Sequence, residues 1–138
     1  MAIRKSSAVW KGSSREGSGT LRLGSGLFEG PYDWRSRFTE GPTTNPEELI
    51  AAAHAGCFSM ALASDLTKAG HVPTSIETSA EVLMDEGHTI HGVQLSTVAE
   101  VPGIDEKTFL EIAEGAKTNC PVSKALRALD ITLTARLA

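Results

Sequence analysis

The chain has 138 residues, 41% of them hydrophobic, and a formal net charge of -4. That is enough apolar material for one globular domain, residues 1–138, with its own core. The acidic balance argues against nucleic acid or an anionic membrane surface as the main partner, because both select clustered Lys and Arg. The longest apolar stretch, residues 51–63, is interrupted by His54 and Ser59 and is shorter than a bilayer span requires. No apolar leader follows Met1, so the chain reads as cytoplasmic.

Residues 3–30 alternate short β-prone pieces, such as residues 7–10 and 20–23, with Gly12, Gly17, Gly19, Gly24, Gly26 and Gly30. The pattern predicts antiparallel strands joined by glycine turns. A phosphate-binding reading of Gly17-Ser18-Gly19 fails, since neither a third glycine nor a following helix is present. Residues 30–44 form a connector rich in Pro, Gly and Thr that nevertheless carries Trp34, Arg35, Arg37 and Phe38, a density of large side chains suited to lining a pocket.

Asn45 is a favoured N-cap, Pro46 fits the first helical position and Glu48 completes a capping-box spacing, which together predict a helix from 46 to 68 or 69. Gly70 supplies its stop. Cys57 falls in the Ala- and Gly-rich middle of that helix and is expected to be buried. Residues 74–86 alternate Ile76, Thr78, Ala80, Val82 and Met84, and residues 89–101 alternate Val93, Leu95, Thr97 and Ala99, with Glu86-Gly87-His88 as the turn of a long hairpin. Asp105 caps a second helix bearing Phe109, Ile112 and Ala116, Cys120-Pro121 opens a short one to about Arg127, and residues 130–137 form a last strand. The order describes an α+β domain built on antiparallel sheet.

Two cysteines, 63 residues apart, are the only thiols. In a reducing compartment such a pair serves catalysis, redox cycling or metal binding more readily than a static disulfide. Cys57 alone also reads as a small buried hydrophobe. Cys120, at an N-cap, faces free backbone N–H groups that favour its thiolate, whereas Cys57 needs a nearby cation to ionise. The competing uses are a metal site drawing on His54, His71, His88, His91 and the cysteines, which lacks a second short-spaced ligand pair, and a hydrolase in which His54 serves Cys57 as base, for which no companion acid is marked.

The run from Asn45-Pro46-Glu47-Glu48 to His54-Ala55-Gly56-Cys57-Phe58-Ser59-Met60, together with Pro73-Thr74-Ser75-Ile76, Val101-Pro102-Gly103-Ile104 and Cys120-Pro121-Val122-Ser123-Lys124, resembles the OsmC/Ohr family of thiol peroxidases. Pro31-Tyr32-Asp33-Trp34-Arg35-Ser36-Arg37-Phe38 is similar to its OsmC branch. The resemblance implies antiparallel sheets wrapped around a long central helix in an intertwined homodimer. It implies reduction of organic hydroperoxides by cysteine alone, with no cofactor or metal, and recycling by a dithiol such as a dihydrolipoyl group on a partner protein. Cys57 takes the peroxidatic role and Cys120 the resolving role, the reverse of what N-cap position alone suggests. Arg37 is the activating arginine and Glu47 the glutamate that holds it. Arg35 lies on the same face as Arg37 if that segment is extended. Phe58, Met60, Trp34 and Phe38 are the candidate apolar lining, or, for Phe58 and Met60, simply core residues. Ten residues separate Glu47 from Cys57, about 15 Å of continuous helix, so the Arg37–Glu47 pair serving one Cys57 is expected to include residues of the partner chain.

Overall fold

The computed structural model covers residues 1–138 and divides into two compact units, Met1–Leu49 and Ile50–Ala138. In the first unit, strands β1 (Ser6–Lys11), β2 (Ser18–Leu23) and β3 (Glu29–Tyr32) form an antiparallel sheet in that order. β3 runs on into the stretch expected to be connector, and Pro31 is tolerated there because β3 is the edge strand of the sheet, with only an isolated bridge from Tyr32 to Thr44 beyond it. Trp10 and Tyr32 stack on this sheet with ring centroids 5.3 Å apart. Gly19 allows that approach, since a Cβ there would run into both rings.

The segment after β3 is not extended. Arg35–Arg37 form a 3-10 turn, initiated by Asp33, whose carboxylate accepts from Ser36 N–H at 2.8 Å. Neighbours two apart on such a turn point in different directions, so Arg35 and Arg37 do not share a face.

Helix α1 (Pro46–Lys68) starts as its sequence predicts: Asn45 Oδ1 accepts from Glu48 N–H at 2.8 Å. The capping box does not close, because Glu48 turns its carboxylate to the Thr44 hydroxyl at 2.7 Å. The helix ends at Gly70, which takes the left-handed φ of +88° expected of a C-terminal stop. By length and composition α1 would reach across a bilayer, contrary to the shorter apolar run read from the sequence. Its Phe58, Leu62 and Leu66, however, are wholly enclosed in the core of the second unit, while apart from them and His54 the helix is not buried.

In that unit β4 (Ser75–Met84) and β5 (Ile90–Glu100) form the predicted hairpin, with Ile76, Ala80 and Val82 facing the core. Ser59 on α1 bonds the Thr78 hydroxyl at 2.7 Å, and Thr78 bonds Thr97 at 3.0 Å, tying the helix to both strands. Asp105 caps α2 (Glu106–Asn119) through Thr108 N–H. Cys120 then serves as C-cap of α2 and N-cap of α3 (Pro121–Ala125), which stops two residues short of the expected Arg127.

The last strand, β6 (Asp130–Leu137), pairs with β5 in parallel, where antiparallel sheet was expected throughout. The connection explains it: β5 leads into β6 through two helices, and a crossover of that kind returns the chain in the same direction. The architecture is α+β, with two three-stranded sheets and one long helix.

Candidate active site

The candidate residues fall in two constellations, one in each unit. In the first unit, Arg37 leaves the 3-10 turn and its Nε donates to Glu47 Oε2 at 3.0 Å, both side chains being partly buried. The single Nε contact leaves the two terminal guanidinium nitrogens uncommitted to Glu47. The ion pair borders a cavity of about 210 Å³ walled by Trp10, Tyr32, Trp34 and Pro46. Trp34 stacks on Phe38 with centroids 4.9 Å apart and receives the Arg15 guanidinium at 5.0 Å on its ring. Arg35 lies apart from Glu47, at a smaller hollow with Arg15, Glu16 and Asp33.

In the second unit the two thiols meet. Cys57 is half-buried rather than enclosed, and Cys120 is the fully buried one. The two thiols lie close enough for Cys120 to perturb Cys57 although 63 residues separate them. Burial pushes the Cys57 thiol above its ordinary range; the backbone N–H of Val122 at the start of α3 works against that by donating to the sulfur. The Cys120 thiol, through its hydrogen bond and its charge, pushes Cys57 up further. Unaided, Cys57 is therefore protonated near neutral pH, and a cation has to be brought to it before it acts as a nucleophile.

Cys120 accepts from Ser123 N–H at 3.3 Å, the N-cap bond its sequence predicts, and its own S–H lies 3.1 Å from Ser123 Oγ. Ser123 is in turn 2.7 Å from His54 Nε2. His54 thus faces Cys120 through a serine, and is neither bonded to Cys57 nor part of a cluster of three ligating side chains, which gather nowhere in the chain. Ser123 and the Val122 N–H had no assigned part in the sequence reading. The signal for Ser123 was its place at the third position of a helix capped by a cysteine, where its N–H must meet the sulfur.

Of the candidate lining, Phe58 is a core side chain, fully enclosed, while Met60 is 76% exposed on the opposite side of the helix. Trp34 and Phe38 belong to the aromatic pair of the first unit.

The OsmC-like protein family profile matches residues 39–134. The chain belongs to the OsmC/Ohr family. It is 46% identical to the peroxiredoxin OsmC of Escherichia coli (strain K12), over 97% of this chain and 96% of that one. It is 33% identical to an organic hydroperoxide resistance protein of Xanthomonas axonopodis pv. citri, over 68% of each. Among solved structures of this fold, an OsmC-like protein of Vibrio cholerae superposes with TM-score 0.79 at 15% identity, covering 99% of this chain and 100% of that one. An organic hydroperoxide resistance protein of Legionella pneumophila superposes with TM-score 0.72 at 23% identity, covering 98% of both. At those identities the OsmC/Ohr structures speak for the fold alone.

Proposed function

We propose that this OsmC/Ohr chain, working as one domain over residues 1–138, is a thiol-dependent peroxidase that reduces organic hydroperoxides to alcohols. The observation that carries the reading is the interaction of the Cys57 and Cys120 thiols, close enough for one to raise the pKa of the other. A peroxide oxygen attacked by the Cys57 thiolate leaves its outer oxygen on the sulfur as a sulfenic acid and departs as an alkoxide, which takes a proton to become the alcohol. Cys120 then attacks the sulfenic sulfur, water leaves, and a disulfide forms before further oxidation. Reduction returns both thiols and requires a dithiol, for which a dihydrolipoyl group on a protein partner is the favoured donor.

Cys57 is the peroxidatic residue because it is the more open of the two sulfurs. Its raised pKa calls for a guanidinium, and Arg37, braced by Glu47, is the group offered. Beside the sulfur such a cation favours the thiolate and stabilises the alkoxide as it forms. α1 is continuous from Glu47 through Cys57, and ten helical residues span about 15 Å. The ion pair is therefore assigned to the partner copy of a homodimer, with Trp34, Phe38 and Met60 as its apolar surroundings. Such surroundings favour bulky organic hydroperoxides over hydrogen peroxide. Relatives named peroxiredoxin and organic hydroperoxide resistance protein support the same reading.

Free thiols counted before and after one equivalent of cumene hydroperoxide test it. The wild type is expected to lose both thiols reversibly, Cys120→Ser to lose Cys57 to overoxidation under excess peroxide, and Cys57→Ser to lose none. An unreactive wild type sinks the proposal.

A further inference from the structure

His54 is a wholly buried titratable side chain that the peroxidase reading leaves unused. Its Nε2 lies 2.7 Å from Ser123 Oγ, and Ser123 Oγ lies 3.1 Å from the Cys120 sulfur, so sulfur, hydroxyl and imidazole form an unbroken hydrogen-bonded line from α3 back to α1. Nδ1, by contrast, is buried with no hydrogen-bond partner. A histidine kept only for packing would have both nitrogens satisfied or be replaced by an apolar residue. A ring committed at one nitrogen alone, and there to a hydroxyl that touches a thiol, is arranged for proton traffic.

We propose that Ser123 and His54 are the proton outlet of Cys120: Ser123 is a catalytic residue of disulfide closure, and His54 is a positioning residue that holds the proton through it. The inference rests on the peroxidase reading for its setting. As Cys120 attacks the sulfenic sulfur of Cys57, its S–H proton passes to Ser123 Oγ while the serine proton passes to His54 Nε2. The sulfur electron pair forms the S–S bond, and the S–O bond breaks. The departing hydroxide becomes water with the proton that His54 gives back. One sulfur is oxidised as the other is reduced, and no further oxidant enters.

Burial holds the His54 pKa below its ordinary value, so the ring is neutral at pH 7 and free to accept. It keeps the proton only while the adjacent sulfur carries the compensating charge. The titratable groups that meet this line are Cys57, one turn further along α1, and Cys120 at the start of α3. Within the second unit the one salt bridge, Lys117–Glu114, is made between its own two side chains.

The test is the lifetime of the Cys57 sulfenic acid, trapped with a dimedone-type reagent after one equivalent of cumene hydroperoxide. His54→Gln keeps a hydrogen-bonding group near the Nε2 position but cannot take up a proton, and Ser123→Ala removes the bridge. Both are expected to lengthen the lifetime by about 10–100-fold near pH 6.5. The gap should narrow as pH rises and solvent hydroxide can take the proton in place of the relay, and Ser123→Thr should restore closure. Equal lifetimes in wild type and His54→Gln, or a slowing of the same size at every pH, overturn the relay. Should His54→Gln fail to fold, the Ser123→Ala and Ser123→Thr pair decides alone. Closure from a glutathione mixed disulfide on Cys57 uses the same nucleophile without peroxide. A His54→Gln defect there in a protein inert to cumene hydroperoxide retires the peroxidase reading and keeps the relay, whereas equal closure rates retire the relay alone.

Discussion

The second unit encloses Phe58, Leu62, Leu66, Val93 and Phe109 completely, whereas the first keeps only Gly30, Thr44 and Asn45 from solvent and leaves every residue of β1 exposed. A three-stranded sheet with so little enclosed apolar surface draws its stability from whatever covers it, while the second unit supplies its own. The sulfurs therefore sit in the self-sufficient half, and the arginine sits in the half whose order depends on its neighbours. On the proposed mechanism, that division puts both thiols in the enclosed unit and the candidate cation Arg37 in the open one.

The largest expected effect falls on the sulfurs. Cys57→Ser should abolish hydroperoxide consumption, and Cys120→Ser should permit a first turnover and then inactivate, both followed by steady-state assay. Next comes the exposed half: Arg37→Met should lower turnover by about 10²–10³-fold, the range for removing one donor that stabilises a developing oxyanion. Glu47→Gln, which loosens Arg37 without removing it, should cost less. An Arg37→Met enzyme of full activity would detach the first unit from the chemistry altogether.

Stability sharpens the contrast. Leu62→Ala, in the fully enclosed core, should cost about 2–5 kcal/mol in urea unfolding. Val9→Ser, on the 56% exposed β1 position, should cost under about 0.5 kcal/mol. A penalty at Val9 close to that at Leu62 would show that β1 is covered in solution. The smallest effect is with pH. Because the folded His54 pKa lies below its unfolded value, its contribution to stability is present above about pH 6.5 and is lost as pH falls through the folded value. Thermal melts between neutral and mildly acidic pH should show a steeper loss for wild type than for His54→Gln.

Helix boundaries were legible because they are set by local chemistry. Asn45, Pro46, Gly70, Asp105 and Cys120 each act within a turn of their own position. The hairpin was legible for the same reason, its alternation matching the enclosed face of β4 and β5. The direction of β6 was not, because period-two alternation is identical in parallel and antiparallel strands. Nor was the turn at Arg35, which depends on Asp33 accepting from Ser36. The burial of Cys57 came out lower than expected, since a mid-helix position says nothing about which side of α1 faces the core. His54 was read against Cys57, its neighbour one turn away, because no local signal reveals a serine 69 residues downstream.

Cys120 closes α2 and opens α3 with a single residue. A covalent bond to Cys57 would replace the S–H that now meets Ser123 Oγ and re-aim the sulfur lone pairs that receive the Ser123 amide, straining the starting anchor of the five-residue α3. Amide exchange at Ser123 should therefore quicken on oxidation.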